Sequence, residues 1–282
     1  MLNTVHRWLL YLLCRHCSEW RGIWRLDLLQ HAFDYRFPES GRLLTETKWG
    51  QPIEIRKNDL VGHMIYFFGE FERKLRTVAS AELHAGDVAL DIGANVGAVS
   101  LFLGTLVGPK GRVFSIEPLA ENFELLDRNV RRVDSGNVFH PEHCALGSEE
   151  KTISLRFDEH MHNSGAVSLL DRGGKGEQSV ALRRLDTLWE SWGRPRIRFV
   201  KMDVEGYEYE VMRGAERLLR EAPPEVWVVE FNWEQLSRIE NGVRRQWDIF
   251  LDHGYEPFDM ETGAKMASQP TAHCDVIFRF KN

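Results

Sequence analysis

Cysteine is scarce in this sequence: its 282 residues include only four, scattered along the chain. Four scattered cysteines do not make the disulfide framework of a small secreted protein. Cys14 and Cys17 form a Cys-x-x-Cys pair. The sequence lacks both the second ligand pair of a zinc site and the strand-to-helix turn of a redox pair. We therefore interpret this pair as part of a helix.

An excess of positive charge is missing as well. The chain has 36 lysines and arginines against 42 acidic residues, a formal net charge of −6, whereas nucleic-acid binding needs a clustered basic surface. The N-terminal apolar run, residues 8–13, is too short to span a bilayer, and no small-residue cleavage site follows it. The sequence predicts a cytoplasmic protein without a nucleic-acid partner and without stable membrane insertion.

The first 80 residues differ in composition from the rest. Tryptophan and arginine alternate here at helix-compatible spacing, at Trp8, Trp20, Trp24, Arg7, Arg15, Arg21 and Arg25. Two interpretations stay open, a helix packed on the main domain or a helix on a membrane surface, and Glu19 and Asp27 favour packing because they interrupt the basic face. Turn-forming residues at 38–62 predict a small hairpin or the base of a lid. We predict an N-terminal extension, residues 1–80, that packs on the rest or forms a lid, and a main domain, residues 81–282.

From residue 87 onward, strand and helix patterns alternate. Strands are predicted near residues 88–92, 112–117, 138–144, 198–203, 226–230, 255–259 and 276–280. Helices are predicted at residues 96–106, 120–132, 207–220 and 242–252. This alternation indicates an α/β domain with a mostly parallel sheet. An insertion, residues 148–188, carries two alternating segments at 152–157 and 180–183 that predict antiparallel edge strands.

A glycine-containing turn follows the first of these strands and reads Asp91-Ile92-Gly93-Ala94-Asn95-Val96-Gly97. Glycines after a buried strand let a ligand approach the backbone closely, and the next helix start attracts polar groups. A dinucleotide-binding turn needs glycine at positions 93, 95 and 98, but this chain has Asn95 and Ala98. The spacing therefore argues against a nicotinamide cofactor. Asp91 is placed to orient the amino-acid portion of a different cofactor.

Glu117 ends the second strand, where nucleotide-binding folds place an acid that accepts hydrogen bonds from ribose hydroxyls. Pro118 terminates the strand at the same crevice. Ala145, near the end of the third strand, is a candidate to present its backbone N–H to adenine. With the glycine turn, these residues form a predicted cofactor site.

Taken together, the motifs resemble the FkbM-type methyltransferases. The resemblance rests on the turn at 91–97, Glu117-Pro118, Asn129-Val130, Ala145-Leu146-Gly147, Leu185-Asp186-Thr187-Leu188 and the segment 201–208, in this order and spacing. It covers residues 66–260 and implies a class I Rossmann-like fold with a seven-stranded, mostly parallel sheet. It also implies S-adenosylmethionine as the methyl donor and S-adenosylhomocysteine as the product. The implied acceptor is a hydroxyl group of a sugar or a secondary metabolite.

Further residues receive roles as well. Phe71 and Glu72 correspond to the family's aromatic–Glu pair and are expected to cover the cofactor. Tyr207 replaces the small residue that usually follows Glu-Gly, and we expect it to reshape the acceptor pocket. Asp203 is expected to contact the cofactor as well as the acceptor.

Asp203 and Glu205 are the candidate catalytic residues. Methyl transfer to a hydroxyl needs an in-line nucleophile and a group that takes its proton. Both acids follow a parallel strand at its carboxyl end, where open α/β sheets bind ligands, and in an extended segment they would point the same way. Alternatively, one of them only caps the next helix. Two carboxylates alone are a weak signal for Mg²⁺, so no metal is predicted.

Acceptor-binding candidates are Glu230 and Asn232, which share a face at the end of the next strand, together with Tyr207 and His162. His143, His160 and His162 are second choices for the base. The insertion and the N-terminal extension would form a lid that selects the acceptor.

The predicted function is therefore O-methylation of a small hydroxylated acceptor. N-methylation is the alternative within the same class of enzyme. A cofactor-binding subunit without catalysis is disfavoured because Asp91, Glu117 and Asp203 are all present, and the glycine spacing disfavours an oxidoreductase. A homo-oligomer is compatible with the sequence.

Overall fold

The N-terminal part of the molecule combines a β-hairpin with helices. The structure, a computed structural model, describes residues 9–15, 35, 37, 39–57, 59–157 and 176–281. The N-terminal elements are helix α1 (residues 9–15), strands β1 (Arg42–Glu46) and β2 (Pro52–Arg56), and helices α2 (Leu60–Phe68) and α3 (Arg73–Glu82). β1 and β2 pair antiparallel, which confirms the predicted hairpin.

Helix α1 packs on the rest of the extension. Leu10 and Cys14 are buried in a small apolar cluster. The other buried members of that cluster are Tyr35, Phe37, Phe67 and Phe68. Cys14 is helical, as expected, while Cys17 and most of the Trp/Arg-rich segment lie outside the described residues. In the part of the chain that the structure covers, no helix is long and apolar enough to cross a bilayer.

Strands and helices then alternate as the sequence pattern predicts. The first half contains β3 (Val88–Ile92), α4 (Ala98–Val107), a 3₁₀ turn (Gly108–Lys110), β4 (Arg112–Ile116), α5 (Ala120–Val133), β5 (Phe139–Glu142), β6 (Ala145–Leu146), β7 (Lys151–Phe157) and β8 (Gly176–Arg183). The second half contains α6 (Leu185–Ser191), β9 (Phe199–Met202), α7 (Glu208–Arg213), α8 (Glu216–Glu221), β10 (Val226–Phe231), α9 (Trp233–Leu236), α10 (Gly242–Asp252), β11 (Tyr255–Asp259) and β12 (Cys274–Phe280).

Seven strands form one central sheet in the order β11-β12-β10-β9-β3-β4-β5. The pairs among β10, β9, β3, β4 and β5 are parallel, and β12 runs antiparallel between β10 and β11. This is the predicted mostly parallel sheet closed by two final strands. The chain enters this sheet in its middle, at β3, and runs outward through β4 to β5. It then crosses back to β9 on the other side of β3, so the strand order reverses between β3 and β9. Ligands bind at such a switch point, at the carboxyl ends of the strands.

The core lies on both faces of this sheet. Along β3, Val88, Leu90 and Ile92 belong to one apolar cluster, whereas Ala89 belongs to a second. Side chains alternate between the faces of a strand, so a strand covered on both sides is apolar at nearly every position. Asp91, in this strand, is fully buried as well, so its carboxylate needs a specific partner.

The insertion forms a separate three-stranded sheet in the order β6-β8-β7. β7 and β8 pair antiparallel, as predicted, and the short β6 pairs parallel with β8. β8 begins at Gly176, earlier than its alternating pattern suggested. His160, His162 and the glycine-rich segment between the strands lie outside the described residues.

The predicted single helix at 207–220 is wrong. It is divided into α7 and α8, with Gly214 and Ala215 between them. A Cβ atom on Gly214 would collide with the carbonyl oxygen of Gly147. The end of α7 therefore lies directly on the backbone that follows β6.

Candidate active site

A cavity opens at the carboxyl ends of β3, β4 and β9. Its lining includes most of the predicted cofactor residues, namely Phe71, Glu72, Gly93, Ala94, Asn95, Glu117, Pro118, Ala145 and Asp203. Glu205 and Glu230 line the same cavity. Asp91, Gly97, Asn232 and Tyr207 do not appear among its lining residues. The topology therefore brings together side chains from the extension, the glycine turn and the second half of the sheet.

The glycine turn lies directly against the end of β9. Gly93 has a φ of 79°, and a Cβ atom there would collide with the carbonyl oxygen of Asp203. Gly97 has a φ of 87°, and a Cβ atom there would lie 2.7 Å from Cδ1 of Leu126. Both positions thus favour glycine for conformation, and Gly93 also requires it for space. The close approach brings the cofactor turn next to the predicted catalytic residues.

The backbone N–H groups of this turn already have acceptors. Those of Gly93 and Ala94 both donate to the carbonyl oxygen of Ile116, at 3.0 Å each. The N–H of Asn95, whose φ is 50°, donates to Oε2 of Glu117 at 2.9 Å. A dinucleotide site needs such N–H groups for its pyrophosphate. Here they face a carbonyl and a carboxylate, so the geometry agrees with the glycine spacing in disfavouring a dinucleotide.

Asp91 lies beneath the turn. Its Oδ2 accepts a hydrogen bond from Oγ of Ser100 at 2.6 Å, and Ser115 donates to Ser100 at 2.8 Å. Its Oδ1 is buried and has no hydrogen-bond partner. Burial raises the pKa of Asp91, while Lys201 and the hydrogen bond from Ser100 oppose the rise. Asp91 thus supports the turn from below.

Glu117 connects the turn to the start of α5. Besides the N–H of Asn95, it accepts hydrogen bonds from the N–H of Leu119 at 2.9 Å and from Nδ2 of Asn122 at 3.3 Å. Burial raises the pKa of Glu117 to about 7, although these hydrogen bonds oppose the rise. A carboxylate offers about four acceptor positions. Three bonds therefore leave room for a ligand hydroxyl.

A buried lysine joins these groups, and sequence reasoning did not single it out. Lys201 lies in β9, is 5% exposed, and lines the cavity. Its Nζ donates to the carbonyl oxygen of Gly93 at 3.0 Å and lies 3.3 Å from Oδ2 of Asp203. Burial by itself lowers the pKa of Lys201, but the charges of Asp203, Glu72 and Asp91 raise it above its ordinary value. These charges favour the ammonium form of Lys201 inside the site.

The acidic side chains Asp203, Glu205 and Glu230 converge beside this lysine. Each offers an oxygen within 4.8 Å of the others, a spacing that could hold a metal ion. The expectation of an extended segment from 203 to 205 is wrong, since Glu205 lies in a turn with a φ of 54°. Burial raises the pKa of Glu205 to about 8, helped by the charges of Glu230 and Asp203.

Two polar residues hold this acidic cluster from behind. Nδ2 of Asn232 donates to Oε2 of Glu205 at 2.5 Å, so Asn232 contacts Glu205 although it does not line the cavity. His273, which precedes β12, places Nε2 3.2 Å from Oε1 of Glu230. Burial raises the pKa of Glu230, and the hydrogen bond between the two residues raises that of His273. No sequence motif marked His273.

The remaining candidates lie elsewhere. Tyr207 lies close to Gly147, where an added Cβ atom would meet its Cε1 at 3.1 Å, and it lines a different depression together with Tyr209 and Arg245. His143 stacks on Phe123, and its Nε2 lies 3.1 Å from the carbonyl oxygen of Pro118. The effect of Tyr207 on the acceptor and the role of His162 stay predictions, the latter because His162 lies outside the described residues.

Glu208, which follows these acids, stabilises the turn between β9 and α7. It is fully buried, and its Oε1 accepts hydrogen bonds from the N–H groups of Val204 and Gly206 at 3.0 and 3.3 Å. Burial raises the pKa of Glu208 to about 8. The N-cap residue of α7 is Tyr207, whose side chain makes no capping hydrogen bond, so neither Asp203 nor Glu205 occupies the N-cap position.

Comparison with known proteins supplies the family. The methyltransferase FkbM domain matches residues 91–257, which is more than half of the chain. This chain belongs to the FkbM methyltransferase family. Membership confirms the resemblance found in the sequence and makes the protein an S-adenosylmethionine-dependent methyltransferase.

Curated relatives of this FkbM methyltransferase include methyltransferase sdnD of Sordaria araneosa, 29% identical over 205 residues, which cover 62% of this chain and 76% of sdnD. Hexuronic acid methyltransferase AglP of Haloferax volcanii is 31% identical over 140 residues, which cover 49% of this chain and 54% of AglP. The chain thus spans about half the length of AglP. Fibrillarin of Aeropyrum pernix, solved with S-adenosyl-L-methionine, is 15% identical, and the match covers 86% of this chain and 96% of that one, with a TM-score of 0.43.

The cavity residues of this FkbM methyltransferase fit S-adenosylmethionine. Asn95 lines the cavity and has a buried Oδ1 without a hydrogen-bond partner, and Oδ1 of Asp91 beneath it is unsatisfied as well. Buried polar atoms without partners point to a missing ligand or water. Acceptor oxygens at the turn suit the hydroxyl and ammonium donors of this cofactor, and the occupied N–H groups do not suit a phosphate.

Proposed function

We propose that the enzyme transfers the methyl group of S-adenosylmethionine to a hydroxyl group of a small acceptor, such as a sugar or a natural product. One observation carries the proposal. The glycine turn and the acidic cluster of Asp203, Glu205 and Glu230 share a single cavity. A cofactor held by the turn would thus lie beside carboxylates that can accept a proton.

Residues on both sides of the turn would hold the cofactor, which supplies an electrophilic methyl group on a sulfonium sulfur. Glu117 has acceptor capacity left for ribose hydroxyls. Gly93, Ala94 and Asn95 would let the ligand approach the backbone, and Asp91, which lies beneath the turn, would orient its amino-acid portion directly or through water. Phe71, Glu72, Pro118 and Ala145 line the remaining wall.

Glu205 and Asp203 are the proposed base. As the acceptor oxygen attacks the methyl carbon, its proton must pass to a nearby group. A general base works best when its pKa lies near the working pH, and burial raises the pKa of Glu205 to about 8. Asn232 donates a hydrogen bond to Glu205 and would fix its orientation, and Glu230, which lines the same cavity, would contact the acceptor.

The proposed acceptor class follows a curated relative. AglP is named for a hexuronic acid, a sugar derivative, and sugars present the hydroxyl groups that this site would deprotonate. The acidic cluster also suits a positively charged amine, so N-methylation is the second candidate. We also propose a cytoplasmic location, since the cysteines of the chain are few and scattered along it.

The test begins with calorimetry of the purified enzyme against S-adenosylhomocysteine and NAD. We expect binding of S-adenosylhomocysteine alone; binding of NAD alone would refute the methyltransferase site. Mass spectrometry of sugars, hydroxylated metabolites and amines incubated with enzyme and S-adenosylmethionine then identifies the acceptor through its gain of one methyl group.

Catalysis by the acids is tested with Asp203→Asn and Glu205→Gln. General-base catalysis contributes roughly 100- to 10,000-fold to a rate, so we expect kcat to fall by at least about 100-fold in one of them. Glu216→Gln, at an exposed position of α8, is the matched control and should keep full turnover. Full turnover in both Asp203→Asn and Glu205→Gln would show that the base lies elsewhere.

A further inference from the structure

Lys201 places a charged ammonium group in a central strand of the sheet. In β9 it pairs with Asp91 of β3 on one side and with Val228 of β10 on the other. A buried lysine is stable only when it is paired or hydrogen-bonded. Its contacts therefore define its function.

Those contacts come from three separate parts of the chain. Nζ of Lys201 lies 3.0 Å from the carbonyl oxygen of Gly93, 3.3 Å from Oδ2 of Asp203 and 3.9 Å from Oε1 of Glu72. Gly93 belongs to the cofactor turn and Asp203 to the proposed base. Glu72 belongs to the segment that precedes α3. One ammonium group thus joins the two halves of the proposed reaction site to the extension.

Glu72 contacts Lys201 and does not cap its own helix. It occupies the N-cap position of α3, yet its side chain makes no capping hydrogen bond, and its φ is 57°. Non-glycine residues adopt this left-handed conformation at an energetic cost, and such residues concentrate at functional sites. The side chain lines the cavity instead of capping the helix.

The charge balance of the cavity depends on the same lysine. Among the described residues that line it, Lys201 is the only basic one, while Glu72, Glu117, Asp203, Glu205 and Glu230 are acidic. Around the network, Glu72, Asp91 and Asp203 face Lys201, and Asp275 of β12 faces Glu72. Without Lys201, these carboxylates would have no cation among the described lining residues.

We propose that Lys201 is a positioning residue that fixes the cofactor turn and the catalytic carboxylate relative to each other, with Glu72 as its third anchor. The inference rests on the proposed function, because it assigns the turn to the cofactor and Asp203 to the base. An ammonium on a flexible stem has three donors and can serve three acceptors at once. A small error in this alignment would separate the donor from the acceptor.

The variants are Lys201→Met, which removes the charge at similar length, Lys201→Arg, which keeps it, and Glu72→Gln. Lys110→Met, at an exposed position of the 3₁₀ turn, is the matched control. Three quantities are measured for each: the unfolding midpoint without ligand, the affinity for S-adenosylhomocysteine by calorimetry, and the pH dependence of kcat/KM.

We expect Lys201→Met to weaken S-adenosylhomocysteine binding at least about tenfold, since a charged hydrogen bond to the turn is lost. Its kcat should fall about 100-fold, the usual cost of a misplaced reacting group. The acid limb of its kcat/KM profile should move up by about 1–3 pH units, because the carboxylates lose their counter-charge. Glu72→Gln removes a negative charge and should move the acid limb down.

Lys201→Arg keeps the positive charge but changes the shape of the side chain. The acid limb of its kcat/KM profile should therefore stay near that of the wild type while kcat falls. A folded Lys201→Met enzyme with unchanged affinity and an unchanged acid limb would overturn the inference, even if its unfolding midpoint were lower. If Lys201→Met does not fold, Glu72→Gln decides, and an acid limb that stays or moves up refutes the network. Failure of the wild type itself to bind S-adenosylhomocysteine would refute the proposed function and this inference together.

Discussion

Glu117 is the residue on which the shape of the cofactor turn depends most directly. Its two oxygens accept hydrogen bonds from the N–H groups of Asn95 and Leu119 and from Nδ2 of Asn122. The same carboxylate is the proposed partner of the ribose hydroxyls. A single side chain would therefore hold the turn and bind the ligand.

Glu117→Gln should weaken S-adenosylhomocysteine binding by roughly 10- to 100-fold, because one carboxylate oxygen becomes an amide donor and charged hydrogen bonds contribute about 1.5–3 kcal/mol each. Isothermal calorimetry measures the loss. Glu121→Gln, whose side chain is 80% exposed, should bind as tightly as the wild type. Equal affinity in Glu117→Gln would mean that Glu117 only supports the turn.

Among single residues, those that belong to a recognisable sequence motif could be predicted as site residues. Asp203 and Glu205 follow a strand at its carboxyl end, and the sheet order then brings them to the turn. Lys201 and His273 were missed, because a lysine or histidine is informative only once its partners are known. The partners of Lys201 come from residues 72, 93 and 203, which only the fold brings together.

At the scale of the elements, the end of α7 packs directly against the segment that follows β6. Gly214 has a φ of −80°, which any residue adopts, so its conformation does not require glycine. The requirement is space, because a Cβ atom would collide with the carbonyl oxygen of Gly147. This contact also joins the base of the insertion to the helix that follows the acidic cluster.

Gly214→Ala should lower the free energy of unfolding by at least about 1–3 kcal/mol, the usual cost of adding a methyl group to a packed site. Urea unfolding measures the change. Gly136→Ala is the matched control, since its Cβ atom would meet nothing closer than 3.7 Å, and it should be near neutral. A fully stable Gly214→Ala protein would show that the two segments can separate at little cost.

The strands and most helices were predictable because their patterns are local. Runs such as Val226–Phe231 are buried along nearly their whole length, and turn residues separate them. The division of the 207–220 helix had no signal in the local pattern, and the close contact at this point is with Gly147, a residue distant in sequence. The turn at Glu205 escaped prediction for a related reason: the hydrogen bonds to Glu208 that hold it were not visible in the spacing.

Across the whole molecule, acidic groups are concentrated inside one end of the sheet. Burial raises the pKa of Glu205 and of Glu208 to about 8 and that of Glu117 to about 7, and it raises that of Glu230 as well. Such groups hold protons in the folded state that they release on unfolding. Between their ordinary pKa, 4.5, and about pH 8, the folded state therefore binds more protons than the unfolded state.

The free energy of unfolding should consequently fall as the pH rises from about 5 to about 8, since stability decreases with pH wherever the folded state binds more protons. His273 acts in the same direction, and His140, whose pKa burial lowers, acts in the opposite one. Urea unfolding at several pH values measures the slope. Glu208→Gln keeps the hydrogen-bond acceptor but cannot titrate, so the slope should become shallower by up to about 1.4 kcal/mol per pH unit. A slope that does not respond to Glu208→Gln would mean that Glu208 is already ionised at low pH, and a stability that rises over this range would contradict the buried protonated cluster as a whole.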